Sequence, residues 1–106
     1  MAKEETQLQN DIRVALSELG IVRRNNTGVF ITPYGATISI GIPGESDLTL
    51  FAQGGKTYFI EIKTASGRQS KKQKNYERRV RELGFEYIIL RSLDDARKFI
   101  EVVKDG

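Results

Sequence analysis

Residues 47–63 read DLTLFAQGGKTYFIEIK, two runs of alternating residues on either side of a Gly-Gly pair. Successive strand residues point to opposite faces, so Tyr58, Ile60 and Ile62 share one face while Thr57, Phe59, Glu61 and Lys63 share the other. On the first run Leu48, Leu50 and Ala52 form the apolar set, opposed by Asp47, Thr49 and Phe51. A two-residue loop through Gly54 and Gly55 would pair Leu48 with Glu61 and mix apolar with charged. A three-residue loop over 53–55 pairs Leu48 with Ile60 and Leu50 with Tyr58, which keeps one face continuous. Such a loop ends in a residue at positive φ, supplied by Gly54 or Gly55. Burial therefore selects the second register, which sets Asp47 opposite Glu61 and projects Asp47, Glu61 and Lys63 from one side of the sheet. Cross-strand Cβ atoms lie about 4.5–5.5 Å apart, a separation that suits two carboxylates sharing one divalent cation. Glu61 and Lys63 are about 7 Å apart at Cα, within reach of a lysine stem.

Upstream, Leu8, Ile12, Ala15, Leu16 and Leu19 recur at helical spacing and predict a helix over 3–19, with Gly20 as its cap. Extended chain is expected over 21–24 and a turn over 25–28. A hairpin follows, with strands 29–32 and 37–40 around Pro33, Tyr34 and Gly35. Gly41, Pro43 and Gly44 break the chain before the central strands, 47–52 and 57–64. Downstream, Ser70 and Gln73 stand in capping-box spacing and open a helix over 71–83 that ends at Gly84. Residues 85–90 read as a buried strand. Ser92 caps a last helix with Asp94 and Asp95 in its first turn and Leu93, Ala96, Ile100 and Val103 on one face. The order of helix, three or four strands, helix, strand, helix predicts an α/β fold. Its mixed central sheet carries helices on both faces and is closed by a right-handed crossover.

The 106 residues suit a single domain over 1–106, with 39% hydrophobic content to form its core. The sequence contains no Cys and no His. That excludes a Cys/His zinc site, a cysteine nucleophile and any imidazole base, leaving carboxylates, lysine and hydroxyls for chemistry. No apolar run approaches the roughly 18 residues of a membrane span, and the polar N-terminal stretch is no signal sequence, so the expectation is a soluble intracellular protein without a membrane partner. Charge is unevenly spread: of 17 basic and 14 acidic residues, residues 63–81 hold eight basic side chains and one acid, Glu77. A basic stripe on an otherwise mildly acidic chain points to a polyanion at one face.

The constellation resembles the PD-(D/E)XK nuclease superfamily, and more closely the VRR-Nuc domain family. The resemblance covers nearly the whole chain. It rests on Glu5, Leu8, Gln9 and Ile12 in the opening helix, RNNTG at 24–28, GIPGESD at 41–47, EIK at 61–63, and Ser70 to Gln73 followed by Leu83 and Gly84. One departure is that Ser46, not Pro43, precedes the acid. The resemblance implies a restriction-endonuclease-like αβββαβ core and a metal-dependent phosphodiesterase. Asp47 and Glu61 would hold Mg²⁺ or Mn²⁺, with the Ile62 carbonyl as a further ligand, and Lys63 would orient or deprotonate the attacking water. Hard oxygen ligands suit a hard cation, and metal-activated water makes histidine dispensable.

Two residues carry alternative readings. Glu5 is either an acid placed favourably in the first helical turn, or the counterpart of the family's helical glutamate, which helps position metal-bound water. Gln73 either completes the capping box with Ser70, or, on the stripe with Tyr76, Val80 and Leu83, reaches the active-site face as the family's helical glutamine does. Arg68, Lys71, Lys72 and Lys74 surround the start of the helix after Lys63 and are expected to contact phosphate. Arg23, Arg24, Asn25 and Asn26 would add backbone contacts, and Tyr34 would stack on an unpaired base. Because one chain carries one candidate site, cutting two strands calls for a homodimer. The leading expectation is a structure-selective endonuclease acting on branched DNA such as four-way junctions or flaps. The family's distribution points to a phage or bacterial source, and so to the cytoplasm of a bacterium or of a phage-infected cell. The competing readings are a non-catalytic nucleic-acid-binding module built on the basic helix, and a protein-interaction domain in which Phe51 and Phe59 meet a partner.

Overall fold

The computed structural model describes residues 3–106, with the backbone alone for residue 3. Along the chain run α1 (Lys3–Leu16), β1 (Gly20–Arg24), β2 (Gly28–Ile31), β3 (Thr37–Ile40), β4 (Leu48–Ala52), β5 (Thr57–Ile62), α2 (Lys71–Glu82), β6 (Glu86–Leu90) and α3 (Leu93–Asp105). Four strands form one sheet in the order β1-β4-β5-β6. β1 and β5 flank β4 antiparallel, and β6 runs parallel to β5. This is the mixed α/β fold, with its αβββαβ core, expected from the sequence.

The register between β4 and β5 is the one burial selects: Leu48 pairs with Ile60 and Leu50 with Tyr58. A 3-10 turn over Gln53–Gly55 closes the loop, with the Ala52 amide donating to the Lys56 carbonyl at 2.8 Å. Leu48, Leu50, Ile60 and Ile62 are fully buried against Ile12 and Leu16 of α1 and against Ala96 and Ile100 of α3. Burying each of these aliphatic side chains contributes about 1.5–3 kcal/mol, so a slip of one residue would expose several of them together and bury charge in their place. α2 covers the other face over β6, anchored by Val80, and leaves the β1–β4 half of that face open.

α1 and β5 end earlier than expected, β5 at Ile62 so that Lys63 directly follows the strand. α1 ends at Leu16, and the last turn of the predicted helix tightens into a 3-10 turn over Ser17–Leu19, with Gly20 already opening β1. The expected hairpin, β2–β3, whose sheet the sequence leaves open, forms a two-stranded sheet of its own. Phe30 pairs with Ile38 on one of its faces, and its apolar side chains stay exposed.

Gly44 sets the approach to β4. Its φ is 79°, and a Cβ there would overlap the Lys72 carbonyl in the first turn of α2. The segment leading to Asp47 therefore packs directly on α2, the helix that carries the basic side chains. Gly44→Ala is expected to destabilise the fold by about 2–4 kcal/mol, since it combines left-handed backbone strain with a backbone clash. Urea denaturation checks this, and an unchanged midpoint would show that the loop does not depend on the close approach.

Candidate active site

On the α2 face the strand register lines side chains up in rows. Arg23, Thr49 and Phe59 form one row across β1, β4 and β5. The next row toward the end of the sheet is Asn25, Asp47 and Glu61, tied by the Asn25 amide donating to the Asp47 carbonyl at 2.9 Å. Asp47 lies one residue before β4, and its carboxylate turns onto β5, where Oδ2 accepts from the Ile62 amide at 2.7 Å. Lys63 Nζ stands 3.2 Å from Glu61 Oε2. Asp47, Glu61 and Lys63 thus meet at one end of the sheet, on the side opposite the aliphatic core.

Gln73 resolves its two readings by doing both. Its Oε1 accepts from the Ser70 amide at 2.8 Å and its own amide donates to Ser70 Oγ at 3.2 Å, completing the capping box. Its Nε2 then donates to Glu61 Oε2 at 3.0 Å. One side chain caps α2 and fixes the carboxylate. Glu61 Oε2 is consequently satisfied twice, by Lys63 and Gln73, whereas Oε1 is buried with no partner.

The electrostatics follow from this burial. Glu61 is 1% exposed, and desolvation first, then the charge of Asp47, push its carboxyl up to about 7, against the pull of Lys63. Asp47 is raised as well: burial dominates over the Ile62 hydrogen bond and Lys63, and the nearby charge of Glu5 adds to the rise. Glu5 on α1 is therefore within electrostatic reach of Asp47. Tyr87 of β6, buried under α2, has its phenol pushed up by burial and then by the charge of Glu61.

Lys71, Lys72 and Lys74 are exposed on the first turns of α2, with Arg68 exposed just before them, and none of the four makes an ion pair among the described residues. Arg24 pairs with Leu48, which puts it on the α1 side of the sheet, whereas Arg23 pairs with Thr49 on the carboxylate side. Asn26 is exposed at the foot of the hairpin and Tyr34 at its tip, 96% exposed. Asn25, grouped with these from its neighbours in sequence, is instead structural. Its Nδ2 donates to the Ser46 carbonyl at 3.0 Å and to Thr49 Oγ1 at 2.9 Å, clamping the residues on either side of Asp47. No periodicity marks that role. Gln9, one turn after Glu5, is 3% exposed with its Oε1 unpartnered. A buried polar residue on an apolar helical stripe was the signal available for it.

The residues fit a hard divalent cation. An orphaned buried carboxylate oxygen, next to a second carboxylate, has a strong requirement for a positive partner. Among the described residues no three acidic side chains gather at metal-ligand spacing. A cation held here would draw on Asp47, Glu61, backbone oxygen and solvent.

No protein-family model matches the chain, and no curated protein matches it. Among solved structures the chain is similar to one described as a VRR_NUC domain, with 24% sequence identity and a TM-score of 0.68, covering 94% of this chain and 97% of that one. The fold is therefore that of a VRR_NUC domain over nearly its whole length, in agreement with the resemblance carried by RNNTG, GIPGESD and EIK.

Glu61 favours its protonated form once folded, whereas an unfolded glutamate ionises near 4.5. Its contribution is thus most favourable below pH 4.5 and is lost as pH rises to about 7. Glu61→Gln removes the ionisation and is expected to stabilise the protein in chelator at pH 8 by on the order of 2 kcal/mol, with little effect at pH 5. Melting curves at both pH values decide it. A variant no more stable than wild type at pH 8 would mean the carboxylate ionises without cost.

Proposed function

We propose that the chain is a metal-dependent nuclease of the VRR-Nuc type, within the PD-(D/E)XK superfamily, that hydrolyses phosphodiester bonds in DNA. The observation that carries the reading is the Glu61 carboxylate: one oxygen fixed by Lys63 and Gln73, the other buried, unpartnered and beside Asp47. A merely structural strand residue has no reason to keep such a group, because a buried unsatisfied carboxylate costs more than a polar or apolar replacement.

Mg²⁺ or Mn²⁺ bound by Asp47, Glu61 and the Ile62 carbonyl would supply Lewis-acid stabilisation of the reacting phosphate. Hydrolysis adds a water oxygen to phosphorus and breaks one P–O ester bond. Lys63, 13% exposed and held by Glu61, orients that water and balances charge accumulating on the phosphoryl oxygens. Gln73 keeps Glu61 in one rotamer, so the carboxylate is aimed before substrate arrives. Glu5 approaches from α1 and serves to position the water. Arg68, Lys71, Lys72 and Lys74 flank the N-terminus of α2 and hold backbone phosphates, joined by Asn26 across the sheet end, whereas Arg24 projects from the α1 face, away from the carboxylates.

With one site per chain, cleavage of two strands uses a homodimer, and branched DNA such as a four-way junction or a flap is the substrate class. Few side chains near the site are equipped to read base edges, which favours recognition of shape. No helix among the described residues is long and apolar enough to cross a membrane.

Lys63→Ala and Asp47→Asn are expected to lower Mg²⁺-dependent cleavage at least about 100-fold while leaving DNA binding in place. Junction, flap and linear duplex substrates are assayed side by side. Equal cleavage of all three would remove the branched-DNA assignment, and binding without any metal-dependent cleavage would make the chain a non-catalytic module. Replacing Lys71 and Lys72 together by Ala is expected to weaken binding to every DNA alike and to flatten its salt dependence by about two in slope, measured by titration at several ionic strengths.

A further inference from the structure

The half of the sheet that α2 leaves open carries a trough on the carboxylate face. The row Arg23, Thr49, Phe59 lies two residues along the strands from Asp47 and Glu61, a distance of about 6.7 Å. Phe51 and Thr57 form the row beyond. Together with Ile42 and Asn26, which wall one side, they enclose a trough of about 530 Å³. That volume falls within the range of small-molecule sites, about 300–1,000 Å³.

We infer that this trough is a subsite for one unpaired nucleobase of the DNA strand being cut, an inference that rests on the nuclease reading above. Its floor is aromatic and rigid. Phe59 is held by edge contacts to Phe85 at 5.3 Å and Tyr76 at 6.2 Å, and Phe51 next to it is 44% exposed. Phe51, the exposed ring, stands two rows, about 13 Å, from Asp47 and Glu61 and forms a stacking platform that accepts any base, since every base has a π-face. The polar rim suits a base edge. Asn26 offers an amide with both donors and acceptor uncommitted among the described residues, and Arg23 is exposed and in no ion pair among them.

The rim also argues against a phosphate in the trough. Glu45 lines it, with its Oε1 accepting from the Ile42 amide at 3.4 Å. That carboxylate repels a phosphate and accepts from an exocyclic amine. A base inside a duplex has its face covered by its neighbours and its edge by its partner, so only a base out of the stack can present both to Phe51 and Asn26. The chain then selects branched or distorted DNA through one displaced base near the cut, in addition to the shape of the arms.

The test scans an abasic nucleotide, one position at a time, across the cleaved bond of a flap substrate, with binding measured by anisotropy in Ca²⁺ and cleavage in Mg²⁺. Wild type is expected to lose about 5- to 100-fold in affinity at a single position near the cut, the worth of one stacked base. Phe51→Ala is expected to erase that difference between intact and abasic DNA. Equal binding of every abasic substrate by wild type would overturn the subsite, whatever the variant does. If the substrates are cut with no abasic effect, the subsite fails and the nuclease reading stands. If they are bound with the effect but not cut, the nuclease reading fails and the base site stands. A chain that binds none of them overturns both. Sedimentation of Phe51→Ala covers the other occupant: a dimer lost with base discrimination intact would assign Phe51 to a second copy of the chain and overturn the proposal.

Discussion

The organisation of this molecule turns on the desolvation of one carboxylate. Glu61 sits on a strand whose alternate residues, Ile60 and Ile62, are fully buried in the aliphatic core. It has no freedom to move out to solvent without taking them along. The surrounding contacts are compensations for that position. Lys63 supplies a charge two residues on and Gln73 reaches from the facing helix, whereas Asp47, its Oδ2 held by the Ile62 amide, adds a charge that opposes the ionisation of Glu61. The compensations are incomplete by one oxygen, Oε1, which is buried without a hydrogen-bond partner.

Much of this was legible in the sequence because register is a burial problem. Residues 47–63 admit two loop lengths, and only one leaves Leu48, Leu50, Tyr58 and Ile60 on a common face. The juxtaposition of Asp47 with Glu61 then follows from hydrophobic accounting that makes no reference to chemistry. Capping-box spacing placed the start of α2 at Ser70. What stayed hidden depends on contacts between segments distant in sequence. Asn25 looks like any loop asparagine until its side chain meets Ser46 and Thr49, more than twenty positions away. Gln73 presented two uses as rivals, and only the geometry shows that a primary amide, with separate donor and acceptor ends, serves both. The hairpin could be recognised as a hairpin, but strand patterning does not say which sheet a strand joins, and β2–β3 joins none.

The same geometry divides labour across the face. α2 lies over β6 and reaches β5 through Gln73 and Tyr76, which gathers Lys71, Lys72 and Lys74 on one flank of the carboxylates. The uncovered β1–β4 flank carries Phe51 and Thr49 instead. On the function and subsite proposed above, a strand of nucleic acid crossing this face would pass from a surface rich in lysine to one rich in aromatic rings. The difference arises from which strands a twelve-residue helix can reach, and it requires no specialised domain.

The position of that helix is itself tied to the far side of the molecule. The loop between Lys63 and α2 is held by Arg91, whose guanidinium donates to the carbonyls of Thr64 at 2.8 Å and Gly67 at 2.7 Å. The Arg91 amide in turn donates to Asp95 Oδ2 at 3.0 Å, in the first turn of α3, and Ser92 Oγ accepts from the Asp95 amide at 3.0 Å. A continuous path of hydrogen bonds and chain therefore runs from the cap of α3 through Arg91 to the loop, on to Ser70 and Gln73, and ends at Glu61. Each link is modest, about 1 kcal/mol for neutral partners and more where a charge is involved. Their effect on geometry is larger than their effect on stability, because a loop of unpinned backbone would let α2 and its glutamine drift by more than a hydrogen bond tolerates. The acid at the end of the path is aimed by a helix cap on the opposite face of the sheet. α3, which bears no candidate site residue, thus belongs to the site as much as to the core.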